Sequence, residues 1–459
     1  MREALEAIRT ATLGTAYEGK VWLVGGAVRD PLLGLPEPQD VDLVTLLPAP
    51  ELAVSLAAKG LSSLPPVLYR RFGTALIRVA GTNVEMVTAR RESYRADSRK
   101  PDVAPASLEE DARRRDFTVN TLLRNLHTDE PLDPLGRGLA DLKARILRTP
   151  LDPLDTFKED PLRMLRAVRF RWQLGLAYAP GLEEAIRAAG PRLEIVSAER
   201  IRDEFTRLLG LKSAADALGG LMALGLIDQF APELRAMVGV DQGSFHHLDV
   251  WDHTRLVVRN AGPGDVTLAL AALLHDVGKP STRSVEADGR IRFFGHERVG
   301  AELAAGLLGR LRYSAREIDG VRVLIASHMR LGTMPKLTIA AVRRLVHDLG
   351  DHLDRLLALV EADAAGLKAG VRSVDLAEVR RLVAHVREEA ARVPLRSPLT
   401  GSEIMAATGL APGPAVGRLI LMLTNSVLDG KLPAGDKEGA LALLKAEANE
   451  SHGKATGKP

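Results

Sequence analysis

The sequence predicts an α/β head followed by a long all-α region, and three observations carry that prediction. β-rich runs, VWLVG at 21–25, VDLVTL at 41–46, ALIRVA at 75–80 and NVEMVT at 83–88, crowd into the first part of the chain. Beyond about residue 150 the strand signal nearly disappears, and Leu, Ala, Arg and Glu recur at helical spacing, broken by Gly and Pro clusters such as AGPGD at 261–265. With 459 residues the chain also exceeds one ordinary core, so about two to four domains are expected.

Composition narrows the chemistry. A hydrophobic content of 46% with 26% charged residues describes a soluble globular protein. Zero cysteines exclude disulfides, Cys-type zinc sites, iron–sulfur clusters and thiol nucleophiles, leaving His, Asp and Glu as metal ligands. The N-terminal MREALEAIRT reads as an amphipathic helix without an apolar signal core, and nothing approaches the ~18 apolar residues of a membrane span, so no membrane association and a cytoplasmic location are expected. Sixty-two Lys+Arg against 59 Asp+Glu leave only +3, so the chain as a whole is not polybasic. Distribution says more. Arg163, Arg166, Arg169 and Arg171 fall in a stretch, 161–173, that contains no acid. That stretch reads either as a phosphate-facing stripe or as a solvated helix face. No tandem repeat is evident, so a solenoid is not expected.

In the head, VWLVGGAVRD runs an apolar strand into Gly25-Gly26, whose bare backbone lets N–H groups approach a phosphate. Further on, Asp40 and Asp42 flank Val41, and period-two strand geometry puts both carboxylates on one face. Magnesium prefers such a platform, a few carboxylates completed by substrate phosphate oxygens. An isolated DxD is more often a turn or a cap. Here its company decides. GGAVRD before DVDLVT, followed by EDARRRDFTVNTLL and DPLGRGLADLKARILR, resembles the class II tRNA nucleotidyltransferases, the bacterial-type CCA-adding enzymes and their poly(A) polymerase relatives, over about residues 21–210.

The resemblance implies a head of the DNA polymerase β-type nucleotidyltransferase fold. It assigns Gly25, Gly26 and Arg29 to the triphosphate, and Asp40 with Asp42 to catalysis and Mg²⁺. Arg115, Asp116 and Asn120 of RRDFTVN fall to the sugar and phosphates, with an acidic acceptor for the ribose 2′-hydroxyl. The bland reading of Asp116 is a helix cap. Glu85 reads either as a third carboxylate near the metals or as the partner of a nearby arginine.

TFKEDPLRMLRAVRF resembles the family's nucleotide-selecting motif, with Glu159, Asp160 and Arg163 at matching positions. An ionised Asp only accepts hydrogen bonds and an Arg only donates them. Side by side they demand a base edge with a donor beside an acceptor, which cytosine and adenine show and uracil and guanine reverse. Asp160 before Pro161 also reads as an N-cap with proline opening the helix. Arg166 and Arg169 are assigned either to the nucleotide or to RNA. Glu199 and Arg200 in SAERIRDEFTRLL match a helix that supports the selecting one.

The segment VEMVTARRESYRADSRKPDVAPASLEED fills the family's flexible-loop region, and its presence favours an enzyme able to add the terminal A. Arg90, Arg91, Arg95, Arg99 and Lys100 make it attractive to RNA or triphosphate, or serve solubility alone. Ser107 with Glu110 forms a capping-box pattern that restarts helix before RRDFTVN.

Farther along, FHHLDVWDHTRLVV, LAALLHDVGKP, FFGHE, IASHMR and VEADAAG bring His253, His275, Asp276, His296, His328 and Asp363, a ligand set suited to one or two divalent ions such as Mn²⁺, Ni²⁺, Fe²⁺ or Zn²⁺, or Mg²⁺. Singly, each histidine is more often structural. Together they resemble the HD phosphohydrolase superfamily, which implies metal-assisted phosphoester hydrolysis on cyclic 2′,3′-phosphates or similar RNA ends. His347-Asp348 lacks the preceding apolar helix and the following Gly-Lys, and reads as surface.

The expected organisation is a nucleotidyltransferase head at 1–148, a helical neck at 149–240, an HD domain at 241–375, a C-terminal tRNA-binding region at 376–449 and a disordered tail at 450–459. The expected activity is template-free addition of CMP, AMP or both to the tRNA 3′ end. Its partners are CTP, ATP and the acceptor arm, the latter gripped by shape and phosphate contacts. Rival readings are a poly(A) polymerase of the same family, an A-only enzyme, and an HD phosphohydrolase whose head merely binds RNA. Composition and motifs leave the oligomeric state open.

Overall fold

The computed structural model describes residues 1–93, 102–243, 248–334, 336–366 and 374–455. These group into two compact units, Met1–Arg235 with Arg310–Arg312, and Ala236–Gly309 with Tyr313–Pro459.

The first unit is built on a seven-stranded mixed sheet. Its strands are β1 (Val21–Val24), β2 (Val41–Thr45), β3 (Val67–Tyr69), β4 (Thr74–Val79), β5 (Thr82–Thr88), β8 (Leu123–Asn125) and β9 (Pro131–Leu132); β6 (Arg90–Ser93) and β7 (Asp102–Pro105) form a separate antiparallel pair. The sheet order is β3-β4-β5-β2-β1-β8-β9, with β2 and β5 parallel and the other neighbours antiparallel. The apolar runs account for β1, β2, β4 and β5. The short strands β3, β8 and β9 at the sheet's flanks carry too few residues for a readable alternation. The parallel β2–β5 step is made by the helix Ala49–Ala58, whose Ala49, Leu52, Ala53 and Leu56 pack against β4 and β5.

After the sheet the chain is helical. The helix Leu162–Leu174 buries Met164, Leu165, Ala167, Val168 and Phe170 and stops at Gly175, a left-handed C-cap. The capping box is present as the sequence predicts: Glu110 N–H donates to Ser107 Oγ at 3.2 Å and Ser107 N–H to Glu110 at 2.9 Å, opening the helix Leu108–Arg113.

The second unit is almost all α. At its centre the helix Val266–Leu274 buries every residue from Leu268 to Leu274, as expected for a helix apolar on all sides. The helices Val250–Ala261, Ala315–Ser327 and Leu353–Ala364 pack around it. The last helix, Lys437–Ala455, extends into the expected tail, and residues 456–459 lie outside the described residues. No helix among the described residues is long and apolar enough to cross a membrane.

Candidate functional site

In the first unit the topology brings the head motifs to one end of the central strands β1 and β2, an edge of the site and not of the sheet. β1 runs antiparallel to β2 with Val24 opposite Asp42, so Gly25-Gly26 follows β1 just where Asp40 and Asp42 open β2. Val41 and Leu43 point into the core while Asp40 and Asp42 reach solvent, the alternation a half-buried strand imposes. Gly25 sits at φ 68°, a conformation that favours glycine, with Asp42 Oδ2 3.4 Å from where a Cβ would be. Glu85 on β5 stands in register with Asp42.

The field at this edge suits a cation. Surrounding protein pushes the Asp42 pKa up by desolvation; Arg115 opposes that shift and Asp40 adds to it. Glu85 is also pushed up, by burial first and then by Asp42, with Arg90 opposing. Glu85 therefore lies in the fields of both the neighbouring carboxylate and an arginine. Asp42 and Glu85 stand in register on neighbouring strands with Asp40 beside them, and carboxylate oxygens are the donors a hard divalent cation such as Mg²⁺ takes.

Behind the edge lies a buried polar chain. Arg29, 4% exposed, pairs with Asp30 at 2.6 Å and donates to Asn120 Oδ1. Asn120 donates to Asp116 Oδ1 at 3.0 Å, and Arg166 donates twice to Asp116 Oδ2 at 2.8 and 2.6 Å. Arg169 pairs with Glu204 and donates to Gln173 at 2.6 Å, and the guanidinium carbons of Arg29, Arg166 and Arg169 lie 5.0, 5.2 and 4.2 Å from the centre of the Phe170 ring. Although burial opposes it, the Arg166 charge and the Asn120 and Arg166 hydrogen bonds hold the Asp116 carboxyl down at about 2.

Two expectations change here. The acid-free stretch 161–173 is no open phosphate stripe: Glu159, Asp116, Glu204 and Glu183 from other parts of the chain pair with Arg163, Arg166, Arg169 and Arg171. Arg169, 7% exposed, is turned into the core and stands behind the site. Asp116, moreover, accepts from Phe117 N–H, Asn120 and twice from Arg166, which uses the lone pairs a carboxylate has. A ribose hydroxyl can reach it only by exchange for an Arg166 donor.

Asp160 and Arg163 meet at a helix start. Asp160 Oδ1 accepts from Leu162 N–H at 3.2 Å, so the capping bond exists, with the helix opening one residue later than expected. Asp160 Oδ2 accepts from Arg200 at 2.7 Å, which ties the helix Ala198–Leu209 to this corner. Arg163 donates to Glu159 at 2.9 Å, to Thr156 O at 3.2 Å and to Arg114 O. Arg90 bonds Phe72 O and Thr74 Oγ1, and Arg91 lies on β6; Arg95, Arg99 and Lys100 lie outside the described residues. Asp111 and Glu204, both buried, are partners that the sequence reading did not single out.

The second unit holds the other site. His275 caps the end of the central apolar helix, so His275 and Asp276 are 1% exposed. His253, His275 and Asp363 form one triad, and Asp276, His296 and His328 a second. His253 Nε2 lies 2.9 Å from Asp363 Oδ1, and His275 Nε2 3.1 Å from Asp276 Oδ2. Asp276 reaches both triads, its Oδ1 3.4 Å from His296 Nε2. Lys279 contacts Asp276 at 2.7 Å and donates to Gln242 at 2.6 Å.

Protonation logic tests this set as a metal centre. The Nδ1 atoms of His275, His296 and His328 lie 2.9, 2.8 and 2.6 Å from the carbonyls of Ala272, Phe293 and Ile325. A carbonyl only accepts, so each Nδ1 donates and a neutral ring presents its Nε2 lone pair inward. Burial first, then His275, lowers the His328 pKa to about 4, which keeps that ring neutral. His296 and His328 bring their Nε2 atoms to 3.2 Å, and the Asp276 carboxylate faces the same space with His275 Nε2 at 3.1 Å and Lys279 at 2.7 Å. A divalent cation takes such oxygens and ring nitrogens together, and the set fits one. Gly278 lets the turn close: a Cβ there would lie 2.3 Å from His296 O. His347 and Asp348 are surface residues, 40% and 45% exposed at the side chain.

Comparison with known proteins agrees with this division. Residues 21–148 match the poly(A) polymerase head domain, 175–237 the probable RNA- and SrmB-binding site of polymerase A, and 244–378 the HD domain. The chain is 38% identical over 366 residues to the A-adding tRNA nucleotidyltransferase of Deinococcus radiodurans, covering 76% of this chain and 81% of that one. It is 34% identical over 453 residues to the CC-adding tRNA nucleotidyltransferase of Thermus thermophilus, covering 95% of each. The crystal structure of the Bacillus stearothermophilus CCA-adding enzyme in complex with CTP superposes with a TM-score of 0.68 at 25% identity, covering 99% of this chain and 98% of that one. With a poly(A) polymerase-type head, a helical region and an HD domain in that order, the chain belongs to the class II tRNA nucleotidyltransferase family.

Proposed function

We propose that the head adds CMP, AMP or both to the 3′ end of tRNA without a nucleic-acid template. The observation that carries this reading is the end of the central strands where Asp40, Asp42 and Glu85 adjoin Gly25-Gly26, backed by the buried Arg29–Asn120–Asp116–Arg166 chain. Mg²⁺ bound by these carboxylates would neutralise the triphosphate and favour attack of the tRNA 3′-hydroxyl on the α-phosphate. The Gly25-Gly26 backbone and Arg115 orient the phosphates, and pyrophosphate leaves along that loop, which the buried Arg29 supports from behind through Asp30 and Asn120. Asp116 takes the ribose 2′-hydroxyl in exchange for an Arg166 donor. Asp160, held by Arg200, accepts from the base amino group, and Arg163, held by Glu159, donates to the adjacent ring nitrogen.

The test supplies tRNA ending at the discriminator base, at C or at CC, with CTP and ATP singly and together, and sequences the products. Addition confined to C and A, stopping at CCA or a part of it, is expected. Open-ended A tracts on arbitrary RNA would instead make the chain a poly(A) polymerase. The two named relatives divide the reaction into A and CC, and the three tRNA ends separate full CCA from A-only or CC-only addition.

A second reading concerns the HD site. It is a phosphohydrolase centre for RNA ends such as 2′,3′-cyclic phosphates, where a bound divalent ion would supply Lewis acidity. The supporting observation is a cavity of about 810 Å³ lined by Asp276, His296, His328 and Asp363 together with Lys279, Lys336 and Phe294, the last 75% exposed. Cations for phosphates and an open aromatic face for a base share one cavity with the metal ligands. Release of phosphate or opening of a cyclic phosphate, lost in His275→Ala, is the expected result.

A further inference from the structure

Among the buried charges outside the assigned motifs, Asp111 organises the most. It lies on the helix Leu108–Arg113, 2% exposed. Its Oδ1 accepts from Arg114 Nε at 3.1 Å, from Arg114 Nη2 at 2.7 Å and from the Arg90 backbone N–H at 3.3 Å. Its Oδ2 accepts from Arg115 Nε at 3.1 Å and Nη2 at 2.9 Å. One carboxylate thus holds an edge of two guanidinium groups and anchors the start of β6.

Each held arginine leads to a different part of the nucleotide site. Arg115 immediately precedes Asp116, whose carboxylate accepts from Asn120 and Arg166 in the buried polar chain behind the site. Arg114 Nε also donates to Arg90 O at 3.0 Å, and its carbonyl accepts from the base-selecting Arg163. Fixing the Arg114 side chain therefore fixes the carbonyl on which Arg163 rests. We infer that Asp111 is a positioning residue for nucleotide binding: it aims Arg115 at the triphosphate and, through Arg114, seats the arginine that reads the base. The inference rests on the reading of the head as a nucleotidyltransferase.

A residue that served folding alone would not act through Arg115, and a double-mutant cycle separates the two roles. Asp111→Asn keeps the shape but turns an amide donor toward one guanidinium. It is expected to raise the Kd and KM for CTP and ATP about tenfold, with the KM for tRNA unchanged. Arg115→Ala should do the same, and the loss in the double variant should fall well short of the product of the two single losses, because only the Arg114 route is left for Asp111→Asn to disturb. Incorporation of UMP, which Arg163 should reject, should rise in Asp111→Asn. Asp111→Glu, which retains the charge and shifts it by a methylene, is the second variant should Asn fail to fold, with nucleotide KM raised about threefold. Nucleotide Kd and KM unchanged in a folded variant, or losses that multiply in the double variant, would overturn the inference. Because Kd is measured by equilibrium dialysis, a wild-type protein that extends no tRNA would sink the transferase reading while leaving the Asp111–Arg115 coupling to be judged by its own numbers.

Discussion

The acids of the head and those of the HD domain face opposite physical situations. Asp40 and Asp42 sit at the start of the central strand β2 and reach solvent, Asp40 accepting from Asn83 at 3.2 Å. The HD ligands His253, His275, Asp276, His296 and His328 are buried, and three imidazoles are locked by backbone carbonyls. A shallow carboxylate set binds a cation well only when substrate phosphates complete the coordination. A buried set of imidazoles and carboxylates is costly without one. On the proposed reading, the head takes an ion that arrives with the nucleotide and the HD site a resident one.

The most severe way to break this contrast is to remove the head acids. Asp40→Ala with Asp42→Ala should cut nucleotide addition by at least about a thousandfold, since the charge stabilisation of the transition state is lost. Its melting temperature should stay close to the wild-type value, because both side chains are exposed.

Asp276→Ala should do the reverse. It removes the carboxylate shared by both triads and leaves the buried Lys279 charge without its acidic partner, a loss of about 3 kcal/mol. Thermal unfolding and metal content should both fall.

Asp116 tests the buried chain between these extremes. Asp116→Asn should lower discrimination of CTP over dCTP about tenfold. Its carboxyl lies at about 2 in the fold against 3.8 ordinarily, so its contribution to stability is complete above the higher value and fades as pH falls toward the lower. Acid unfolding of the Asn variant should lack that contribution, measured as a flatter stability profile between those two values.

The smallest effect sharpens the HD side. Phe294→Ala should reduce hydrolysis of a base-bearing cyclic phosphate about fivefold relative to a base-free phosphoester, the scale of one stacking contact. Equal losses on both substrates would remove the stacking role.

Much of both sites was legible because their residues stand in contiguous runs: GGAVRD and DVDLVT meet through the β1–β2 pairing, RRDFTVN joins them through Arg29 and Asn120, and HDVGK ends an unbroken apolar helix. What escaped were the partners that only the fold supplies. Glu204 meets Arg169 from a distant helix, yet it shares a face with Ile201, Phe205 and Leu208, and an acid on an apolar face is a sign of a buried ion pair. Asp111 precedes Arg114 and Arg115 at helical contact spacing, a signal present but hidden by the more familiar motif beside it. Arg169 was misplaced for the same reason: an acid-free stretch looks like a surface stripe until the acids that neutralise it arrive from elsewhere.

Manganese binding followed by electron paramagnetic resonance, with and without CTP, tests the contrast between the two sites most directly. The account predicts that ions bind without nucleotide only where Asp276 and the imidazoles are intact, and that further binding appears with CTP and vanishes in the Asp40→Asn, Asp42→Asn variant. Tight binding at the head in the absence of nucleotide, or nucleotide-dependent binding that survives loss of both aspartates, would contradict it.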